Sequence, residues 1–131
     1  ADGVTIGTRL LLTEEAPIHD NLKQALLDAN ETDTLPILGS LHNTLRAWKN
    51  TAALQVAEIE AGQGEIVEIL SMVAGTKTHR MLQNGEMEAG VIACGQGIGI
   101  VDEIAPVGDV IRGMVQEAVA IRDRLGRAGG N

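Results

Sequence analysis

The sequence predicts an α/β chain that is mainly α-helical, with one short strand near its beginning. Residues 3–12 are rich in β-branched and aliphatic side chains and include Gly3 and Gly7, a composition that favours a brief strand in need of neighbours. Apolar residues then recur at helical spacing along most of the chain. Because no later stretch offers an equally strong partner strand, we expect the rest of the sheet to lie upstream of Ala1.

Length and composition bound the class of protein. The 131 residues suffice for one domain, whose core must be aliphatic because the chain has one Trp and neither Phe nor Tyr. The formal net charge of −8 disfavours binding to nucleic acid and to anionic membranes. No apolar stretch approaches the roughly 20 residues of a membrane span. We therefore expect neither a nucleic-acid partner nor a membrane partner.

Cysteine usage and the first residues bear on the compartment. The one cysteine, Cys94, lies in the apolar run 91–94, which favours a buried structural thiol over a nucleophile and excludes an internal disulfide. The opening Ala-Asp-Gly does not resemble a signal peptide. These features predict a cytoplasmic protein in a reducing environment.

Apolar periodicity predicts five helices, over residues 17–30, 51–61, 66–75, 78–83 and 107–125. Pro17 suits the first turn of the first helix and Asn30 its C-terminal cap. Among the later helices, Gly75, Asn84-Gly85 and Gly126 mark the ends.

The remaining segments are less regular. Residues 32–39 are predicted to form an extended edge or a loop, because Pro36 excludes a central strand. Ser40 is a suitable cap for a further helix over residues 40–48. The apolar run 89–94 is compatible with a strand or with a buried helix, and periodicity does not decide between them.

Thr5-Ile6-Gly7-Thr8 is the strongest candidate for a binding site. A β-branched run that ends in a small-residue turn before a helix presents backbone N–H groups and a hydroxyl, which suit a phosphate. This segment would form half of a phosphate-binding cup. The alternative is that Gly7 only permits close packing. Arg9 follows and is expected at the surface or in a salt bridge.

Gly95-Gln96-Gly97-Ile98-Gly99 suggests a dinucleotide-binding turn, but the spacing does not fit. Ile100 stands where the third glycine is required, and no acidic residue follows a second strand about 20 positions later.

A metal site is not expected. The three histidines, His19, His42 and His79, fall on different predicted helices, and the chain has no cysteine pair. Surface positions are predicted for all three.

Four stretches of the chain resemble stretches of one known protein family. They are residues 2–9, residues 15–19 with 23–25, residues 43–50, and residues 85–90 running into Gly95-Gln96. In the same order, they resemble stretches of the nitronate monooxygenases, formerly called 2-nitropropane dioxygenases, and of the related flavin-type enoyl-ACP reductases. The resemblance covers nearly the whole chain, but only the C-terminal part of the family's.

The resemblance implies the C-terminal fragment of an FMN-binding (β/α)8 TIM barrel, which needs roughly 250 residues when complete. Residues 1–30 would supply the last barrel strand and the following helix. Residues 31–104 would form a small, mostly helical domain over the active-site mouth. Residues 105–131 would form a C-terminal helix and a frayed tail.

The resemblance also implies roles for single residues. Thr5, Ile6, Gly7 and Thr8 would hold the phosphate of FMN, with the backbone N–H groups of Gly7 and Thr8 in contact with it. Gly95 and Gln96 would line the substrate cleft. The family's catalytic base is a histidine on a barrel loop that no histidine here matches, so we expect no catalytic residue in this chain and the base upstream of it.

The implied activity is the oxidation of nitronates or nitroalkanes by O2 to carbonyl compounds. Residues 43–50 look closer to the monooxygenase branch than to the reductase branch, in which the substrate is an enoyl thioester. The alternative from another class is a non-catalytic helical domain that forms a homo-oligomer, or binds a partner, through its first strand. The chain by itself is not expected to be active.

Overall fold

The computed structural model describes residues 3–62 and 64–128. In chain order, the elements are α1 (Thr8–Leu11), α2 (Asp20–Leu27), β1 (Thr34–Ile37), a 3-10 helix (Gly39–Leu41), β2 (Leu45–Trp48), α3 (Thr51–Ala61), α4 (Ile66–Met72), α5 (Gly75–Asn84), a second 3-10 helix (Gln96–Ile100) and α6 (Val107–Ala128). The described part is mainly helical, as expected, and its sheet is a two-stranded one.

The sheet is an antiparallel hairpin in which Thr34 lies opposite Trp48 and Ile37 opposite Leu45. Pro36 is tolerated because β1 pairs only with β2 among the described residues and is an edge strand, which confirms the extended edge expected over residues 32–39.

The helix expected over residues 40–48 is wrong. Residues 39–41 form one 3-10 turn, and residues 45–48 are extended along β1. Pairing with β1 on one side and with residues 92–94 on the other satisfies the backbone of β2, and Ala47 is fully buried.

Two clusters of aliphatic side chains form the core. The first joins the hairpin to α3 and α4 through Ile37, Leu38, Ala47, Ala52, Ala53, Val56, Ile69 and Val91. The second consists of Leu12, Leu22, Leu26, Met81, Ile92, Cys94 and Ile98. The second cluster packs the beginning of the chain against the segment that leads to the second 3-10 helix.

The strand expected over residues 3–12 does not form. Residues 3–7 have no regular structure, and Thr8–Leu11 form a single helical turn. A strand needs a neighbour for its backbone groups, and within the described ranges no segment pairs with residues 3–7. Leu12 is instead fully buried, and Thr13 forms an isolated parallel bridge with Ala105.

α2 is shorter than the helix expected over residues 17–30. His19 caps it, because its Nδ1 accepts a hydrogen bond from the Asn21 N–H at 3.1 Å. Pro17 and Asn30 consequently lie outside the helix and do not have the capping roles that were expected of them.

The later helices are present with partly different bounds. α3 spans residues 51–61 as predicted. Gly75 opens α5 and does not end α4, and α5 ends at Asn84 before the left-handed Gly85 (φ 69°), as expected. The stop expected at Gly126 is wrong, since α6 continues through it.

The run 89–94 is neither a regular strand nor a helix. Ala93 forms an isolated antiparallel bridge with Ala47, and the Cys94 N–H donates to the Arg46 carbonyl at 2.9 Å. This places the following residues, Gly95 to Ile100, beside α1.

α6 is amphipathic and packs on the rest of the chain mainly through its first turn, where Val110 is buried. Beyond Val110 its large aliphatic side chains are exposed, namely Ile111, Val115, Val119, Ile121 and Leu125. Among the described residues, no helix combines the length and the apolar character that a bilayer crossing demands.

Candidate functional site

A cleft of about 560 Å³ lies beside the beginning of the chain. Its first wall is the segment 5–9. Its second wall is formed by residues of the segment 97–103, and its third by the first half of α6, from Asp109 to Glu117. All four residues that the sequence predicts for phosphate binding, Thr5 to Thr8, therefore line one cleft.

The backbone at Gly7 and Thr8 is available to a ligand. A methyl group built at Gly7 would meet nothing within 4 Å. Within residues 3–62 and 64–128, no acceptor engages the N–H groups of Gly7 and Thr8. Gly7 is exposed and Thr8 is half-buried, so these two adjacent N–H groups are open to the cleft and can donate to an anionic acceptor. Close packing at Gly7, the alternative considered above, is not found.

Thr8 connects the two predicted parts of the site. Its Oγ1 accepts a hydrogen bond from the Gly95 N–H at 2.9 Å, although the two residues are 87 positions apart. Gly95, predicted at the substrate cleft, therefore lies directly beside the segment predicted for the phosphate.

Arg9 lines the cleft, but its guanidinium is engaged by groups of the chain itself. Its guanidinium donates to the Leu12 carbonyl at 2.8 Å and lies 4.0 Å from the Glu103 carboxylate. The side chain is only 18% exposed. The expectation of a salt-bridging residue is confirmed.

The two other walls of the cleft are acidic. Asp102, Glu103, Asp109 and Glu117 line it, and Arg9 is the basic residue among the lining side chains. Carboxylates repel a phosphate, so an anion is favoured only at the Gly7 and Thr8 amides and not elsewhere in the cleft. Within the cleft, the turn between residues 7 and 8 is thus the position that suits an anion.

The second 3-10 helix carries cleft residues that the sequence analysis did not identify. Gly97 and Ile100 line the cleft, whereas Gln96 does not, although Gln96 was the predicted contact. Ile98 is fully buried and fixes the turn in the core. Ile100 is 88% exposed.

Cys94 is a structural thiol. It is 1% exposed, as expected, and burial raises its pKa to about 11. The thiol is therefore neutral at physiological pH and is a poor nucleophile.

The histidines show no common site. His42 and His79 are exposed, as predicted, whereas His19 is partly buried as the cap of α2, which corrects its predicted surface position. Across the described ranges, no group of three or more His, Cys, Asp or Glu side chains is arranged to hold a metal ion.

Comparisons with known proteins give the family. The family model for nitronate monooxygenase matches residues 1–117. A curated relative from Rhodococcus jostii (strain RHA1), a (3aS,4S,5R,7aS)-5-hydroxy-7a-methyl-1-oxo-octahydro-1H-indene-4-carboxyl-CoA dehydrogenase, is 25% identical over 162 residues. That alignment covers 96% of this chain and 46% of the relative.

Solved structures give the same result. FabK from Thermotoga maritima is 26% identical, with a TM-score of 0.81, and the match covers 91% of this chain and 37% of FabK. Its M276A mutant is 26% identical with a TM-score of 0.76, covering 95% and 37%. The chain thus spans less than half the length of these relatives. With the family model matched over residues 1–117, the chain belongs to the nitronate monooxygenase family.

Proposed function

We propose that this chain is part of a flavin-dependent oxidoreductase and that the backbone N–H groups of Gly7 and Thr8 bind the phosphate of FMN. The observation that carries the proposal is the pair of amides that meet no acceptor among the described residues and lie beside an open cleft, in a chain that belongs to this family. FMN supplies a reversible redox centre when bound.

In this proposal, the residues of this chain bind the phosphate of FMN and orient the cofactor. Gly7 and Thr8 hold the phosphate end, and Thr5 and Ile6 lead the backbone to it along the same wall of the cleft. Charge-assisted hydrogen bonds from two backbone N–H groups account for the affinity. The acidic residues on the other walls confine the phosphate to this end of the cleft.

We propose that Gly95 and the turn that follows it form part of the substrate cleft. The hydrogen bond from Gly95 to Thr8 supports this, because it sets the turn next to the proposed flavin site. Gln96 remains a candidate substrate contact in the longer protein. The catalytic histidine is expected outside this chain, as the family resemblance implies.

The first candidate reaction is oxidation of a nitronate by O2. The match to the nitronate monooxygenase family and the sequence of residues 43–50 support this reaction. The second candidate is reduction of an enoyl thioester. It is supported by the likeness to FabK and by the relative from Rhodococcus jostii, whose name specifies a carboxyl-CoA compound.

We also propose the division into residues 1–30, 31–104 and 105–131, and a cytoplasmic location. The family resemblance supports the division, although residues 1–30 and 31–104 share the second core cluster. Limited proteolysis of the full-length protein tests the division, because cleavage is expected first near the proposed boundaries.

The full-length protein decides between the candidates. A yellow protein that releases FMN on denaturation supports the flavin proposal, and a colourless folded oligomer supports the non-catalytic alternative. Oxygen uptake with propyl-2-nitronate identifies a nitronate monooxygenase. NADH oxidation that depends on crotonyl-CoA identifies the reductase.

A further inference from the structure

The segment 95–101, which we call the cleft loop, is attached to the core through Ile98 and to the proposed flavin site through one hydrogen bond. Ile98 is fully buried, and a methyl group at Gly99 would lie 2.7 Å from the Glu31 backbone nitrogen, so the middle of the loop packs tightly. Toward the segment 5–9, the described residues provide one hydrogen bond, from the Gly95 N–H to Thr8 Oγ1.

Thr8 contributes two groups to this region, its backbone N–H and its side-chain hydroxyl. Its backbone N–H faces no acceptor among the residues that the structure describes, whereas its hydroxyl oxygen is already occupied by Gly95. A β-branched side chain has few χ1 rotamers, so a ligand that fixes the Thr8 backbone also fixes the position of Oγ1. The position of Oγ1 in turn fixes the first residue of the cleft loop.

We propose that Thr8 is a positioning residue whose hydroxyl orders the cleft loop when the Gly7 and Thr8 amides bind a phosphate. The coupling to the ligand rests on the proposed function, whereas the attachment of the loop by the hydroxyl does not. The consequence is that a bound phosphate, by restricting the Thr8 backbone, further steadies a loop that the hydroxyl already holds.

Two substitutions distinguish the effect of the Thr8 hydroxyl from the effect of the rest of the residue. Thr8→Val keeps the shape and the backbone N–H but removes the acceptor, and Thr8→Ser keeps the acceptor. The matched control is Thr78→Val, which removes a comparable hydrogen bond of 3.1 Å to the Val91 carbonyl in the same fold. The measurement is amide hydrogen exchange of residues 95–101 in the full-length protein, with and without FMN.

Without FMN, Thr8→Val is expected to speed exchange of the Gly95 amide by about threefold to tenfold, which corresponds to one lost hydrogen bond. Thr8→Ser and Thr78→Val leave it within about twofold of the parent. FMN is expected to slow exchange of the cleft loop in the parent and in Thr8→Ser but not in Thr8→Val. Flavin fluorescence is used to bring each variant to saturation with FMN, so that the comparison of exchange rates does not depend on the affinity.

Equal exchange in Thr8→Val and Thr8→Ser would overturn the positioning role. Loop protection by FMN that persists in Thr8→Val would overturn the coupling. A parent protein that binds no FMN would contradict the proposed function, and the comparison of the two variants without ligand would still decide the role of the hydroxyl.

Discussion

The buried side chain of Asn50 makes three hydrogen bonds to backbone groups. It is 4% exposed, its Nδ2 donates to the Met87 and Gly90 carbonyls at 2.8 Å each, and its Oδ1 accepts from the Ala53 N–H at 2.9 Å. Asn50→Ala leaves three buried groups unpaired and removes the cap of α3. We expect a loss of about 3 kcal/mol in the free energy of unfolding, measured with urea.

A matched control is available for this prediction. Asn43 is exposed on the loop between the strands, so Asn43→Ala is expected to change the free energy of unfolding by less than about 0.5 kcal/mol. An equal loss in the two variants would show that the buried hydrogen bonds of Asn50 are not the cause.

Glu60 makes stability depend on pH. Desolvation raises the pKa of its carboxyl group, but hydrogen bonds from the Ser40 hydroxyl, the Ser40 N–H and the Leu38 N–H outweigh it and lower the pKa from 4.5. A lowered pKa in the folded state means that this stabilisation is complete above the unfolded value, and it is lost as the pH falls through the folded pKa. Urea unfolding at a series of pH values from 6 down to 3 is expected to show this loss.

The pH effect of Glu60 is tested by substitution. Glu60→Gln should flatten the fall in unfolding free energy over the same pH range, and Ser40→Ala, which removes one donor, should reduce it partly. An unchanged slope in Glu60→Gln would assign the acid sensitivity to other carboxyl groups.

At the scale of elements, one glycine allows a close approach to α5, and another glycine in the same region does not. A methyl group at Gly90 would lie 2.6 Å from the Thr78 backbone nitrogen, whereas one at Gly75, the first residue of α5, would meet nothing within 4 Å. Gly90→Ala is therefore expected to cost about 2 kcal/mol through displaced backbone, and Gly75→Ala to be neutral or slightly stabilising. Thermal unfolding of the two variants checks this, and equal midpoints would contradict the close approach.

The elements that sequence analysis predicted well are those in which periodicity alone decides. α3 and α6 have apolar stripes long enough to be distinguished from strands. β2 was missed because Leu45 and Trp48 are compatible with helical spacing, and only its pairing with β1 makes the segment a strand. The first strand was predicted from β-branched residues, but without a neighbouring strand that composition does not produce one.

Only part of the candidate site could be predicted, because only part of it consists of residues that are close together in the sequence. The chemistry of residues 5–8 is local, so the sequence pointed to the segment that lines the cleft. The bond between Thr8 and Gly95 is not local, and no spacing rule brings together residues 87 positions apart. The acidic walls from α6 were unforeseen for the same reason.

At the scale of the whole molecule, α6 has an apolar face that most of the described chain does not cover. Val115 is 58% exposed and lies on this face. Because the relatives are more than twice as long as the matched segment, we expect other parts of the full-length protein to cover the face. Val115→Glu should then cost about 2 kcal/mol or more of unfolding free energy in that protein, whereas Gln116→Glu on the opposite face should not. Equal effects would show that the face stays in water.

The most direct test of the account compares the affinities of the full-length protein for FMN and for riboflavin, which lacks the phosphate. If the Gly7 and Thr8 amides bind the phosphate, FMN should bind at least about 100-fold more tightly than riboflavin. Gly7→Glu, which the open space at Gly7 accommodates, should weaken FMN by at least about tenfold and leave riboflavin within about threefold. Equal affinities for the two flavins in the parent, or an unchanged FMN affinity in Gly7→Glu, would contradict the account.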